Sequence, residues 1–152
     1  MGHLVLRFGV ITPNYSLVRM AKQLKNLKYT NSQKGKLQKC ANNLKLNFGT
    51  VGLKALESGY ITSKQLQSAR QTILKKINKK GKVWTKIFLN RPVTQKPLEV
   101  RMGKGKGSMS HRVARVKGGS IIFEVCGIPK QTAISIFKTG GSKLPIKTGF
   151  FH

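Results

Sequence analysis

Glu57, Glu99 and Glu124 are the only carboxylate side chains in a chain of 152 residues that carries 30 Lys+Arg, for a formal net charge of +27. Internal ion pairs can neutralise only a small part of that charge. A fold packing so many like charges together repels itself wherever counterions do not screen it, so it is most stable beside a polyanion. An ordinary solvated helix face carries both signs of charge, which three carboxylates do not permit. Nucleic acid is the partner this balance implies. A membrane surface is the rival polyanion, but the sequence has no run of about 20 apolar residues and no strongly amphipathic helix with aromatic anchors, so no membrane partner is expected.

Hydrophobic residues make up 39% of the chain, enough for the core of one domain of ordinary size. Cys40 and Cys126 lie far apart, and neither belongs to a C-x-x-C or Cys/His cluster. With only His3, His111 and His152 to add, zinc-ligand spacing is absent, and neither a metal site nor a cofactor is expected. The two thiols read as small, buried or partly buried residues in a reducing compartment rather than as a disulfide.

Three regions follow along the chain. Residues 1–20, MGHLVLRFGVITPNYSLVRM, are mildly apolar and free of acids, like a transit peptide or the front of a strand, and are expected to be a retained N-terminal extension. Residues 21–45 are dominated by Lys, Gln, Asn and Gly, too polar to form a core, and read as a basic arm that orders on RNA. Residues 46–152 read as a single domain.

Within that domain, Leu46 to Leu56 suggests a bent strand. Thr62 with Gln65 forms a capping box, and Leu66, Ala69, Ile73 and Ile77 recur at helical spacing, which predicts a helix from Ser63 to Lys79 ended by Gly81. Its other faces carry Lys64, Arg70, Lys75, Lys76, Lys79 and Lys80, with charge concentrated toward the C-terminal end where it suits the helix dipole. Strands are predicted at Val83 to Leu89, Leu98 to Met102, Arg112 to Val116 and Ile121 to Val125, with Gly118 and Gly119 forming a hairpin turn between the last two. Trp84 reads as a core anchor. A second helix begins near Pro129 and buries Ala133, Ile136 and Phe137, with Gly140 and Gly141 fraying its end. KLPIKTGFF closes the chain as a short strand. The sum is an α+β fold: a mainly antiparallel sheet with two helices packed on one face, a basic N-terminal arm and a protruding Gly/Lys loop.

That loop, RMGKGKGS from Arg101 to Ser108, has glycine at every second position, which removes the Cβ atoms that keep a backbone away from a ligand. Lys104 and Lys106 fill the gaps, so the segment can offer amide N–H groups and ammonium charge to phosphates together. Its bland counterpart is a hairpin tip with lysines for solubility. No dinucleotide fingerprint and no G-x-x-x-x-G-K-[ST] pattern occurs, which argues against a nucleotide-binding enzyme.

The run GKVWTKIFLNRPVTQKPLEVRMGKGKGS, Gly81 to Ser108, resembles the bacterial and organellar L-sixteen family of large-subunit ribosomal proteins. FGTVGLKAL, ITSKQLQSAR, IIFEVCGIP and KLPIKTGF are similar to further segments of that family, and residues 28–151 can be laid on it without an insertion. The resemblance implies an α+β domain embedded in large-subunit rRNA near the A-site tRNA and the peptidyl transferase centre, with the glycine-lysine loop extended inward. Arg101 matches an arginine that bacterial enzymes hydroxylate. Arg101, Met102, Gly103, Lys104, Gly105, Lys106 and Gly107 are the expected tRNA-proximal loop, with a positioning role and no catalytic one.

Lys34, Lys36, Lys39, Lys45, Lys54, Lys64, Arg70, Lys75, Lys76, Lys79, Lys80, Lys82 and Lys147 are the expected rRNA contacts. Further partners are A-site tRNA, then P-site tRNA, and neighbouring large-subunit proteins, with no homo-oligomer. Ser110, His111 and Arg112 replace the family's usual Glu-Tyr-Trp, and Asn90 and Arg91 replace an Asp-Lys pair. Few acids with abundant Lys and Asn suggest a mitochondrial ribosome, with a bacterial cytoplasm as the alternative. The competing class, a small basic RNA-processing or RNA-modifying enzyme, would need clustered carboxylates or an acid/base pair such as His111 with Lys104.

Overall fold

The computed structural model describes residues 31–37, 45–78 and 80–152. The extension 1–20, most of the arm, Lys39, Cys40 and Lys79 lie outside the described residues. Among the described residues, seven strands and two helices follow in order: β1 (Val51–Ala55), β2 (Gly59–Thr62), α1 (Ser63–Ile77), β3 (Lys82–Thr85), β4 (Arg91–Gln95), β5 (Ser108–Val116), β6 (Ile121–Cys126), α2 (Lys130–Gly141) and β7 (Thr148–Phe151). The fold is α+β, as expected, but the strands form two antiparallel sheets rather than one. A four-stranded sheet has the order β3-β6-β1-β7 and a three-stranded sheet the order β2-β5-β4.

The division overturns the hairpin expected at Gly118 and Gly119. β5 pairs with β2 and β4, whereas β6 pairs with β1 and β3, so the turn carries the chain from one sheet to the other. Gly119 takes a φ of +87° there, and its N–H donates to the Ala55 carbonyl, tying the crossover to the end of β1.

Helix α1 starts where the capping box places it: the Gln65 N–H donates to Thr62 Oγ1 at 3.4 Å, and the Thr62 N–H donates to Gln65 Oε1 at 3.0 Å. Leu66, Ala69, Ile73 and Ile77 are all buried, and each large aliphatic side chain among them contributes about 2 kcal/mol by leaving water. The helix stops earlier than Gly81, because Asn78 adopts the left-handed conformation at φ 49°, ψ 44° and takes the capping role glycine usually fills.

Helix α2 buries Ala133, Ile136 and Phe137 as predicted, and Gly140 and Gly141 do not fray it: both are helical and buried. A Cβ on Gly140 would come within 2.6 Å of Ile73 Cγ1, so the missing side chain is what lets α2 lie close against α1. One core joins both helices to both sheets, with Leu53, Phe123, Ile73, Phe137, Ile61 and Ala114 all fully buried within it.

The remaining strand expectations need correction. The segment Leu46 to Leu56 is a strand only over β1, and Val83 to Leu89 only over β3. Leu98 to Met102 is not a strand: it lies in the loop between β4 and β5, with Leu98 and Met102 fully exposed. Their alternation has a strand's period but no core to face. β2 and β4 are strands that sequence pattern alone did not single out.

Glu124 sits in the middle of β6 with 0% of its surface exposed. Its carboxylate accepts from the Phe48 N–H at 2.8 Å, the Gly49 N–H at 3.0 Å and the Asn47 N–H at 3.3 Å, and it pairs with the Lys86 ammonium at 3.5 Å. Burial pushes this carboxyl up. The three backbone donors and Lys86 outweigh that and hold it below the usual carboxylate range. The turn it grips runs directly over the sheet, where a Cβ on Gly49 would approach Glu124 Cβ to 2.8 Å.

Candidate nucleic-acid interface

The β4–β5 hairpin carries the glycine-lysine loop at its tip. Gly103, Lys104 and Gly105 take φ values of +101°, +53° and +80°, three successive residues at positive φ. Nothing lies within 4 Å of where a Cβ on Gly103 or Gly105 would stand, so these two glycines leave the backbone bare toward the outside. Gly107 differs. A Cβ there would lie 2.6 Å from the Gln95 carbonyl oxygen, so its bareness serves the closing of the hairpin. The sequence reading, in which all three glycines leave room for a ligand, does not extend to Gly107.

Arg101, Met102, Lys104 and Lys106 are exposed. The loop is braced at both ends: the Lys96 ammonium donates to the Gly103 carbonyl, and the Lys106 ammonium donates to the Ser32 carbonyl at 2.7 Å. This second bond joins the tip to the described part of the arm. Arg91 extends the junction, with one guanidinium nitrogen donating to the Gln33 carbonyl and another to Tyr60 Oη at 3.1 Å. Between arm and three-stranded sheet lies a cleft of about 590 Å³ lined by Lys34, Tyr60, Arg91, Lys106 and His111 among others, with no carboxylate in its walls. A second cleft of about 550 Å³ is bordered by Lys36, Lys86, Arg115 and Lys117. Its walls too are cationic and free of carboxylates, which suits a phosphate backbone.

Of the expected rRNA contacts, Lys34 and Lys36 lie exposed on the arm along these clefts. Lys45, Lys64, Lys75, Lys80 and Lys82 are exposed elsewhere on the surface. Lys39 and Lys79 lie outside the described residues, and the remaining four have internal partners. Lys76 donates to Thr139 Oγ1 at 2.7 Å, linking α1 to α2. Lys147 pairs with Glu57 at 3.0 Å, and the Lys54 ammonium stands 5.8 Å from the centroid of Phe151. Arg70 is half-buried, and burial lowers its guanidinium pKa from the ordinary value, though arginine stays charged.

Tyr60, Arg91, Arg115 and Lys117 were not singled out from sequence as contacts. The signal available for Arg91 was its place where the family has Asp-Lys; what hid it was Pro92, which argues against a strand. Also missed was Phe48, which is 61% exposed and stacks on Trp84 with ring centroids 6.0 Å apart and planes 24° from parallel. Trp84 is half-buried rather than a core anchor, because β3 is an edge strand. His111 is exposed on β5, with Nδ1 3.2 Å from Ser110 Oγ. Among the described residues no three His, Cys, Asp or Glu side chains gather as a metal site would require, and no helix is long and apolar enough to cross a membrane.

Comparison with known proteins finds relatives over most of the chain. Residues 24–151 match the family model for ribosomal protein L16p/L10e. The chain is 47% identical over 126 residues to large ribosomal subunit protein uL16 of Blochmanniella floridana, covering 83% of this chain and 95% of that protein. It is 44% identical over 128 residues to the protein of the same name from Buchnera aphidicola subsp. Cinara cedri, covering 84% and 94%. On the strength of these matches, the chain belongs to the ribosomal protein L16p/L10e family.

Proposed function

We propose that this chain is a structural constituent of the large ribosomal subunit, that its domain 46–152 and arm 21–45 bind large-subunit rRNA, and that the loop 101–108 supports positioning of A-site tRNA near the peptidyl transferase centre. The protein is not an enzyme: the family is one of ribosomal proteins. The observation that carries the loop's role is the left-handed run Gly103–Lys104–Gly105, held from one side by Lys96 and with open space where a Cβ on Gly103 or Gly105 would stand. Bare amides and exposed Lys104 and Arg101 suit phosphate oxygens, as Lys34, Arg91 and Lys106 do at its base. P-site tRNA and neighbouring large-subunit proteins are the further partners of this reading, with no homo-oligomer.

Two measurements test it. Affinity for a large-subunit rRNA fragment should fall steeply with salt, with a logarithmic slope of about 0.9 per phosphate contact on duplex and about 0.7 on single strands; a flat response would refute an electrostatic scaffold. Replacing Arg101, Lys104 and Lys106 together by Ala should leave incorporation into the subunit intact and slow tRNA accommodation about tenfold. Loss of incorporation would make the loop an assembly anchor instead.

A mitochondrial ribosome is the compartment favoured by the scarcity of carboxylates beside abundant Lys and Asn. The bacterial origin of the relatives favours a bacterial cytoplasm as the second reading. Recovery of the chain with large subunits from purified mitochondria separates the two.

A further inference from the structure

Phe48 stands out because it is a large aromatic ring held in solvent by a rigid support. Three consecutive N–H groups, of Asn47, Phe48 and Gly49, converge on the buried Glu124 carboxylate, so the backbone beneath the ring is fixed rather than loose. Trp84 lies opposite Glu124 in the β3–β6 register, which places both on one face of the sheet, and it stacks on Phe48. Lys86 joins the two halves: its ammonium is 3.5 Å from Glu124 and 5.3 Å from the Phe48 ring centroid. Lys82, two positions before Trp84 on the same edge strand, is exposed, as is Lys45.

A stacked aromatic pair with its outer ring in water, fixed from below by the sole buried carboxylate among the described residues and surrounded by cations, is built to receive a flat, electron-rich partner on an anionic backbone. The geometry points to Phe48 and Trp84 as a stacking platform for an unpaired nucleobase of RNA, with the exposed Lys82 as the phosphate contact beside it and Lys86 holding the platform together. This rests on the rRNA-binding reading and adds to it a base-stacking site on the four-stranded sheet, apart from the glycine-lysine loop. The surrounding charge favours RNA over a protein neighbour as the occupant, because a protein surface would have to supply a carboxylate to match Lys82 on a chain of net charge +27. Glu124 becomes a positioning residue, acting through the turn it holds.

Trp84 is the only tryptophan of the chain, so its emission reports on the platform without background. The full chain is titrated with a short single-stranded oligoadenylate and, separately, with heparin, a polyanion without bases. Oligoadenylate should quench Trp84 several-fold more than heparin at matched occupancy. Phe48→Ala should weaken oligoadenylate binding about tenfold with heparin binding and salt slope unchanged, and Phe48→Tyr should restore it. Equal quenching by both polyanions, with Phe48→Ala binding oligoadenylate as well as the parent does, overturns the platform while leaving the rRNA reading in place. Failure to bind either polyanion removes both.

In assembled subunits, ultraviolet irradiation should yield a nucleotide adduct at Phe48 or Trp84. An adduct to a peptide of a neighbouring protein would assign the surface to protein and overturn the proposal.

Discussion

The four-stranded sheet with its helices and the β4–β5 hairpin are built from similar residues put to opposite uses. In the sheet, branched and aromatic side chains close on one another: Leu53, Phe123 and Phe137 are fully buried, and Gly140 gives up its side chain so that Ile73 fits against α2. At the hairpin tip, Leu98 and Met102 are fully exposed, and Gly103 and Gly105 face empty space. The sheet is closed by packed side chains, whereas the tip is held only by the Lys96 and Lys106 braces at its ends. A glycine against a neighbouring side chain tells of packing; a glycine with φ near +80° and nothing around it tells only of the backbone conformation it permits.

Substitutions sharpen that contrast. The largest effect should come from Phe123→Ala, which empties the middle of β6 and should cost about 4 kcal/mol in denaturant unfolding; a loss under about 1 kcal/mol would mean the core is not shared as described. Glu124→Ala should follow at about 3 kcal/mol, since it leaves three backbone donors and Lys86 facing an apolar gap. Because the folded carboxyl titrates below its unfolded value, its stabilisation is fully present above the ordinary carboxylate pKa and is lost as pH falls through the depressed value. Glu124→Gln should therefore flatten the acid limb of the stability–pH curve.

Gly107→Ala comes next, at about 2 kcal/mol, because its new Cβ would press on the Gln95 carbonyl. Gly105→Ala meets no neighbour and should cost only about 1 kcal/mol, from its positive φ alone. Met102→Ala should change unfolding by less than about 0.5 kcal/mol. Reversal of the Gly107 and Gly105 order would undo the distinction between closing glycines and outward ones.

The same contrast explains what sequence pattern reveals and what it conceals. Helix α1 is readable because Thr62, Gln65 and four apolar residues at helical spacing agree; its end is not, because an asparagine replaces the expected glycine at the left-handed cap. Leu98 to Met102 alternates as a strand does, and only burial tells a core-facing alternation from one turned toward another molecule. The turn at Gly118 and Gly119 is evident, but a turn signal carries no information on whether the flanking strands pair with each other. The glycine-lysine loop was plain in the sequence. The Phe48 and Trp84 stack was not, since residues 36 positions apart meet only through the pairing of Trp84 with Glu124 and the bonds of Glu124 to the Phe48 turn.

Strand β1 is held on one side by β6 and on the other by β7, with Gly52 facing Phe151 across the second pairing. Contacts this distant along a chain form late, after the entropy of closing long loops has been overcome. During synthesis β1 therefore waits, unpaired, until almost the whole polypeptide has emerged. Early docking onto nascent RNA or a holding chaperone would shelter it through that interval.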